Sequence, residues 1–244
     1  MPGFELFGEA ERNEVNDVLQ SGVLMRYGFD GMRNGHYKAQ EFEQKFAKLM
    51  GAEFCQMTSS GTSALTVALA SAGIGAGDEV IIPTFTFVAT FESIIALGAV
   101  PVLCDIDDTL CLNPEAVKQK ITQNTRVIMP VHMCGSMADL NPLKTICEEN
   151  NLILLEDACQ AIGGTYNGKQ LGTIGDLGCF SFDFVKTITC GEGGMVVTNS
   201  KELAEKARSL KNLSFGEVNK FMHTDIGFNY RMPNISAALG LGQF

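Results

Sequence analysis

Residues 78–104, DEVIIPTFTFVATFESIIALGAVPVLC, decide the fold. Val80, Ile81 and Ile82 run on without polar interruption, as in a strand covered on both faces. The segment TFVATFESIIALGA then spaces its apolar residues as a helix does, and VPVLCDI returns to a strand-like run. Strand, helix, strand in this order is the repeating unit of a parallel sheet. The pattern continues downstream, with NPEAVKQKI helical, RVIMPVHM a strand, LNPLKTICEENN helical and LILLEDAC a strand. Upstream, EFEQKFAKLM is helical and stops at Gly51, where a C-terminal glycine is expected, and GTSALTVALASAGI opens a further helix. From Gly163 the segments shorten. GTYNGKQLG reads as a hairpin or loop, and GCFSFDF and GGMVVTN read as strands flanking a glycine-rich turn. The expectation is an α/β chain with a mostly parallel sheet between helices, its ligands lying beyond the carboxyl ends of the strands.

The 244 residues are 45% hydrophobic, enough for a sizeable core. A net charge of −10 with no basic cluster argues against nucleic-acid or anionic-membrane partners. The eight cysteines fall on apolar segments without a CxxC pair, so they read as reduced, buried thiols and not as a zinc or dithiol site. The N-terminus lacks the basic and apolar regions of a secretory signal, and Pro83, Glu92 and Pro101 interrupt the longest apolar run. A soluble cytoplasmic protein that works on small molecules is expected.

Four stretches at strand ends or helix starts carry candidate chemistry. In TSSGTSAL, Ser60, Gly61 and Thr62 open a helix whose free N–H groups suit an anion, although a plain helix cap reads equally well. In LILLEDACQA, Asp157 follows four apolar residues and needs a cation or several donors, with Gln160 three residues on. Lys186 stands in the apolar run FSFDFVKTITCGEGG with Ser181 close before it. Out of water its neutral amine can form a Schiff base with an aldehyde, and the glycines that follow permit close approach to a ligand. PTFTFVAT places Phe85 and Phe87 after a strand, where an aromatic can cover a flat ring or simply join the core. Together these are the parts that hold pyridoxal phosphate.

The stretches SSGTSAL, PTFTFVAT, EDACQAIGG, GDLGCFSFDFVKTITCGEGGMVVTN and GFNYRMPNISAALGLGQ resemble the DegT/StrS-type sugar aminotransferases, a fold-type I pyridoxal-phosphate family. The resemblance implies that Lys186 binds the cofactor covalently and carries protons. It also implies that Asp157 pairs with the ring nitrogen, Gln160 lies by the ring hydroxyl and Phe87 stacks on the ring. Gly61, Thr62 and Ser181 would bind the phosphate together with Asn229 of a neighbouring subunit, which implies a homodimer with shared active sites. L-Glutamate is the implied amino donor and a keto or aldehyde sugar the acceptor. A narrower similarity, in PGFELFG, RYGFDGMRNGHYK, VHMCGSMADL, SFDFVKTITCGEGG and Asp183, points to the members that form 8-amino-3,8-dideoxy-octulosonate, a lipopolysaccharide sugar acid. The alternatives are a perosamine-type sugar-nucleotide aminotransferase or a catalytically silent cofactor-binding homologue. Arg26, Tyr27, Arg33, His36 and Lys38 form a basic, aromatic insertion that could grip a substrate carboxylate, and His132 could touch substrate; a solvated loop and a core histidine are the competing readings. The family pattern also implies a large cofactor-binding domain over 1–244, with the smaller C-terminal domain absent from this chain.

Overall fold

The computed structural model describes residues 2–215 and 221–244. Helices α1 (Glu9–Ser21) and α2 (Lys38–Met50) precede strand β1 (Phe54–Thr58). Then follow α3 (Gly61–Ser71), β2 (Glu79–Pro83), α4 (Val88–Ile95), β3 (Val100–Cys104), α5 (Pro114–Lys120), β4 (Thr125–Ile128), α6 (Leu140–Asn150) and β5 (Ile153–Asp157). A short hairpin of β6 (Thr165–Tyr166) and β7 (Lys169–Gln170) leads to β8 (Leu177–Ser181), β9 (Gly194–Thr198), α7 (Lys201–Leu210) and α8 (Asn234–Gly242).

Seven strands form one sheet in the order β1-β9-β8-β5-β4-β2-β3. Pairing is parallel from β8 through β3, and β9 runs against both its neighbours, so the sheet is mostly parallel as expected. Alternate side chains explain the unbroken apolar runs. Val80, Ile82, Val127, Met129, Leu155, Cys179 and Val196 pack on the α3 and α7 side. Ile81, Ile128 and Leu154 face the opposite way, toward α5 and α6, and Phe180, Met195 and Val197 join α2 and α8 there. Both faces are dry, which removes any demand for polar alternation.

The hairpin expected in GTYNGKQLG turns on Asn167 and Gly168, both with positive φ (50° and 78°), the conformation a two-residue turn of matching twist requires. The RVIMPVHM strand is shorter than the sequence suggests, because Pro130 has no N–H to give to a ladder; its carbonyl accepts from Asp157 N instead. The carboxyl ends of β1, β2, β4, β5 and β8 all open at one edge of the sheet.

Candidate active site

At that edge lies a cavity of about 200 Å³, open to solvent, to which several chain segments contribute. Ser60, Gly61 and Thr62 come from the start of α3, Phe87 and Thr90 from the start of α4, Asp157 from the end of β5 and Gln160 from just after it, Ser181 from the end of β8, and Asp183 and Lys186 from beyond it. Residues as far apart in sequence as Ser60 and Glu192 thus line one cavity.

The α3 end of the cavity offers the free donors that an anion cradle requires. Ser60 caps the helix, accepting from Ser63 N while its own N–H is taken by Ser63 Oγ. Its hydroxyl is committed to the cap, so the plain cap reading holds for this residue. The N–H groups of Gly61 and Thr62 have no protein acceptor among the described residues, as expected of first-turn donors. Gly61 lies against β8, where a Cβ would come within 2.8 Å of Ser181 Cβ and 3.1 Å of its Oγ. Glycine is therefore required to bring the helix N-terminus and the Ser181 hydroxyl to the same place. Ser181 Oγ accepts from Asp183 N, which leaves the hydroxyl proton to give away.

Across the cavity, Asp157 is buried at the tip of β5. Oδ2 accepts from Thr90 Oγ1 at 2.9 Å and Oδ1 from Cys159 N at 3.2 Å. Thr90 has one proton and gives it to Asp157, so the 2.6 Å contact with Thr86 Oγ1 must run from Thr86 to Thr90. Two neutral donors reach this carboxylate and no side-chain cation pairs with it among the described residues. A buried carboxylate in that state is suited to a cationic ring nitrogen. Sequence reasoning missed Thr90 and Thr86. The available signal was a hydroxyl pair at helical spacing, i and i+4, inside PTFTFVAT.

Lys186 closes the cavity from a turn after β8 and is half-buried, with no carboxylate partner among the described residues. Next to it, burial and then the Asp157 charge push the Cys159 thiol well up, and Lys186 only partly opposes them. Cys159 therefore stays protonated and does not compete with the lysine as a nucleophile. Gln160 reaches across to the loop after β4, where its Oε1 accepts from Cys134 N at 2.9 Å, and its amide nitrogen has no protein partner among the described residues. Phe87 is 63% exposed at the mouth, so it is not a core residue. Phe85 is also exposed but does not line the cavity.

The remaining candidates lie elsewhere. His132 is fully buried away from the cavity. Its Nδ1 accepts from Ala138 N, so Nε2 carries the proton that it donates to Glu156. The same Glu156 carboxylate accepts from the N–H groups of Gly172, Ile174 and Gly175. The substrate contact expected of His132 is therefore replaced by a core role. Arg26 pairs with Glu43 at 2.5 Å and lies over the Tyr27 ring. Arg33, 1% exposed, donates to the carbonyls of Met25 and Gly28, and Lys38 is held by Glu14 and Asp17 with His36 beside Asp17. The basic insertion thus folds on itself, and none of its residues lines the cavity. Asn229 is exposed and stands off the cavity of its own chain. Cys134 is exposed and Cys159 is not fully buried, against the expectation that every thiol is buried; all eight cysteines are free.

A mostly parallel sheet that holds, at its carboxyl edge, free helix-start N–H groups, a buried carboxylate without a side-chain cation and a lysine without a carboxylate partner among the described residues has the fold of the fold-type I aminotransferase class. Within that class, the chain belongs to the DegT/DnrJ/EryC1/StrS aminotransferase family, whose profile matches residues 6–244. It is 41% identical over 234 residues to the GDP-perosamine synthase of Vibrio cholerae, covering 96% of this chain and 62% of that one. Among solved structures it superposes on 3-amino-5-hydroxybenzoic acid synthase with a TM-score of 0.90 at 36% identity, covering 97% of this chain and 61% of the other. Bacillus subtilis NtdA, solved with bound cofactor PMP, superposes with a TM-score of 0.85 at 31% identity, over 99% of this chain and 54% of NtdA. The chain spans about three fifths of the length of these relatives. No helix among the described residues is long and apolar enough to cross a membrane.

Proposed function

We propose that the protein is a pyridoxal-phosphate-dependent sugar aminotransferase of the cytoplasm, with L-glutamate as donor and a keto or aldehyde sugar as acceptor. The single observation that carries this reading is the convergence on one cavity of the N–H pair at Gly61 and Thr62, Asp157 and Lys186, which among the described residues have no acceptor, no side-chain cation and no carboxylate partner respectively. The donor set fits the cofactor at both of its ends. Gly61 N, Thr62 N and the Ser181 hydroxyl would bind the phosphate, and Asp157 would hold a protonated ring nitrogen. When bound, the cofactor supplies a carbonyl that condenses with amines and a ring that withdraws electrons from the attached carbon. Phe87 would cover the ring and keep water from its face, and the Gln160 amide would serve the ring hydroxyl. Lys186 would hold the cofactor, and its Nζ is the group at the cavity that could accept and donate a proton there.

For the acceptor, the similarity to GDP-perosamine synthase favours a sugar nucleotide over the 8-amino-3,8-dideoxy-octulosonate route. The insertion that would have gripped a sugar-acid carboxylate is tied up with Glu43, Glu14, Asp17 and backbone carbonyls. Apart from Lys186, the charged side chains that line this cavity are all carboxylates: Asp157, Asp183 and Glu192. An anionic donor and acceptor therefore need cationic groups from outside the cavity's own lining, which supports a homodimer with shared active sites and Asn229 reaching the partner's cradle.

With added pyridoxal phosphate the protein is expected to turn yellow, and borohydride should bleach the band and add the cofactor's mass to the peptide that contains Lys186. Glutamate should replace the band by one at shorter wavelength. Lys186→Ala should show neither the band nor the mass. A protein that stays colourless, or a label on another lysine, overturns the assignment.

A further inference from the structure

The turn that carries Lys186 is held from outside the cavity by parts of the chain far away in sequence. Within the turn, Lys186 N donates to Asp183 O and Val185 N to Asp183 Oδ1. On its outer side, Lys186 O accepts from Gly3 N at 2.8 Å, and the Phe4 ring stacks on Phe184 at 4.3 Å with the planes 8° apart. Gln243, just beyond α8, ties this strap down. Its Oε1 accepts from Thr189 N at 3.0 Å, three residues past the lysine, while Nε2 donates to Gly3 O at 3.0 Å and to Glu11 Oε1 at 3.2 Å. Both amide protons and one lone pair are used, which also fixes the orientation of the amide.

Close packing leaves the strap little freedom. A Cβ on Gly3 would come 2.1 Å from Gln243 Oε1 and 2.7 Å from Thr187 O. Gln243 is itself located by α8, where Gly240 sits against Cys190 and Phe42, and Gly242 against the backbone of Glu11.

We propose that Gln243 and the Gly3–Phe4 strap are positioning elements for Lys186: they fix the pitch of the 183–189 turn and so hold the amine at the cavity. This rests on the cofactor reading above, but the latch itself is a property of the chain. A lysine on a turn with only its own internal bonds would sample many orientations, and each degree of lost alignment weakens attachment of the cofactor.

The test uses Gln243→Met and Phe4→Ala, which remove the three bonds and the ring stack. Val117→Ala, at a fully buried position of α5, serves as a control for general destabilisation. Both strap variants should weaken cofactor binding by about tenfold, the loss of roughly 1.4 kcal/mol, speed cofactor release, and shift the pH midpoint of the visible band. Hydrogen exchange of the amides at 183–189 should also rise in the cofactor-free protein. The Val117→Ala control should lower Tm without moving the band or the exchange of the turn. Wild-type affinity, midpoint and turn protection in both strap variants would overturn the proposal, as would the same changes in the control. If the wild type binds no cofactor, the functional reading fails by itself, and turn exchange in the three variants still decides the latch.

Discussion

Asp157 is the residue whose surroundings say most about the chemistry. Its two oxygens each receive one neutral donor, Thr90 Oγ1 and Cys159 N, and Thr86 completes a hydroxyl chain behind Thr90. Thr90→Val removes a bond to a charged acceptor while keeping the shape, a change worth about 1.5–3 kcal/mol in comparable cases. Cofactor affinity, read by fluorescence titration, should fall at least about tenfold, Thr90→Ser should retain it, and Asp157→Asn should lose more than Thr90→Val. Equal affinity in Thr90→Val and wild type would show that the hydroxyl chain does not matter to Asp157. The placement of Gly61, Asp157, Ser181 and Lys186 around one cavity was legible in the sequence because each lies next to a strand end or helix start. The partners of Thr90, His132, Arg26 and Arg33 were not. Thr90 and His132 meet their partners across 67 and 24 positions, and Arg26 reaches Glu43 across 17. A histidine or arginine in a run of sequence looks the same whether it faces a ligand or a buried carboxylate.

At the level of elements, the strands were legible where they are apolar throughout, and β1 was not, because FCQMT is short and carries Gln56 and Thr58. Its place at the end of the sheet is secured instead by Glu43 of α2. That carboxylate accepts from Met57 N and Lys211 Nζ on one oxygen and from Arg26 on the other, joining α2, β1, the basic loop and the end of α7. Burial pushes the Glu43 carboxyl up, but Lys211 and Arg26 outweigh it and hold it below the usual carboxylate range. A folded-state value lower than the unfolded one means that ionised Glu43 contributes stability in full above its unfolded value of 4.5. The contribution is lost as the pH falls through the folded value. Glu43→Gln leaves Lys211, 1% exposed, without its carboxylate, and should cost about 3–5 kcal/mol at pH 7 in urea unfolding. The difference between variant and wild type should shrink as the pH falls below 4.5. A difference independent of pH would place the effect in packing and not in the charge.

The molecule as a whole exposes apolar side chains around the cavity edge that a monomer has little reason to keep in water. Phe87, Phe184 and Val185 are each more than half exposed there, and on the loop after α1 so are Phe29 and Met32. The same edge presents Asp183 and Glu192 to substrates that the proposed reaction requires to be anionic. A second copy that covers the apolar rim and supplies donors answers both demands, and the exposed Asn229 is available to reach it. Sedimentation should therefore find a species of twice 26.3 kDa at micromolar concentration. Cofactor affinity should fall on dilution through the dimer's dissociation range, since each cradle then loses its neighbour. Asn229→Ala should weaken binding in the dimer without changing the sedimentation profile, and it should have no effect on whatever affinity the dissociated chain retains. A monomer with affinity independent of concentration would mean that one chain completes its own site. Asn229 would then stand off the cavity in solution as it does here, and the charge of the rim would have to be met by groups within a single molecule.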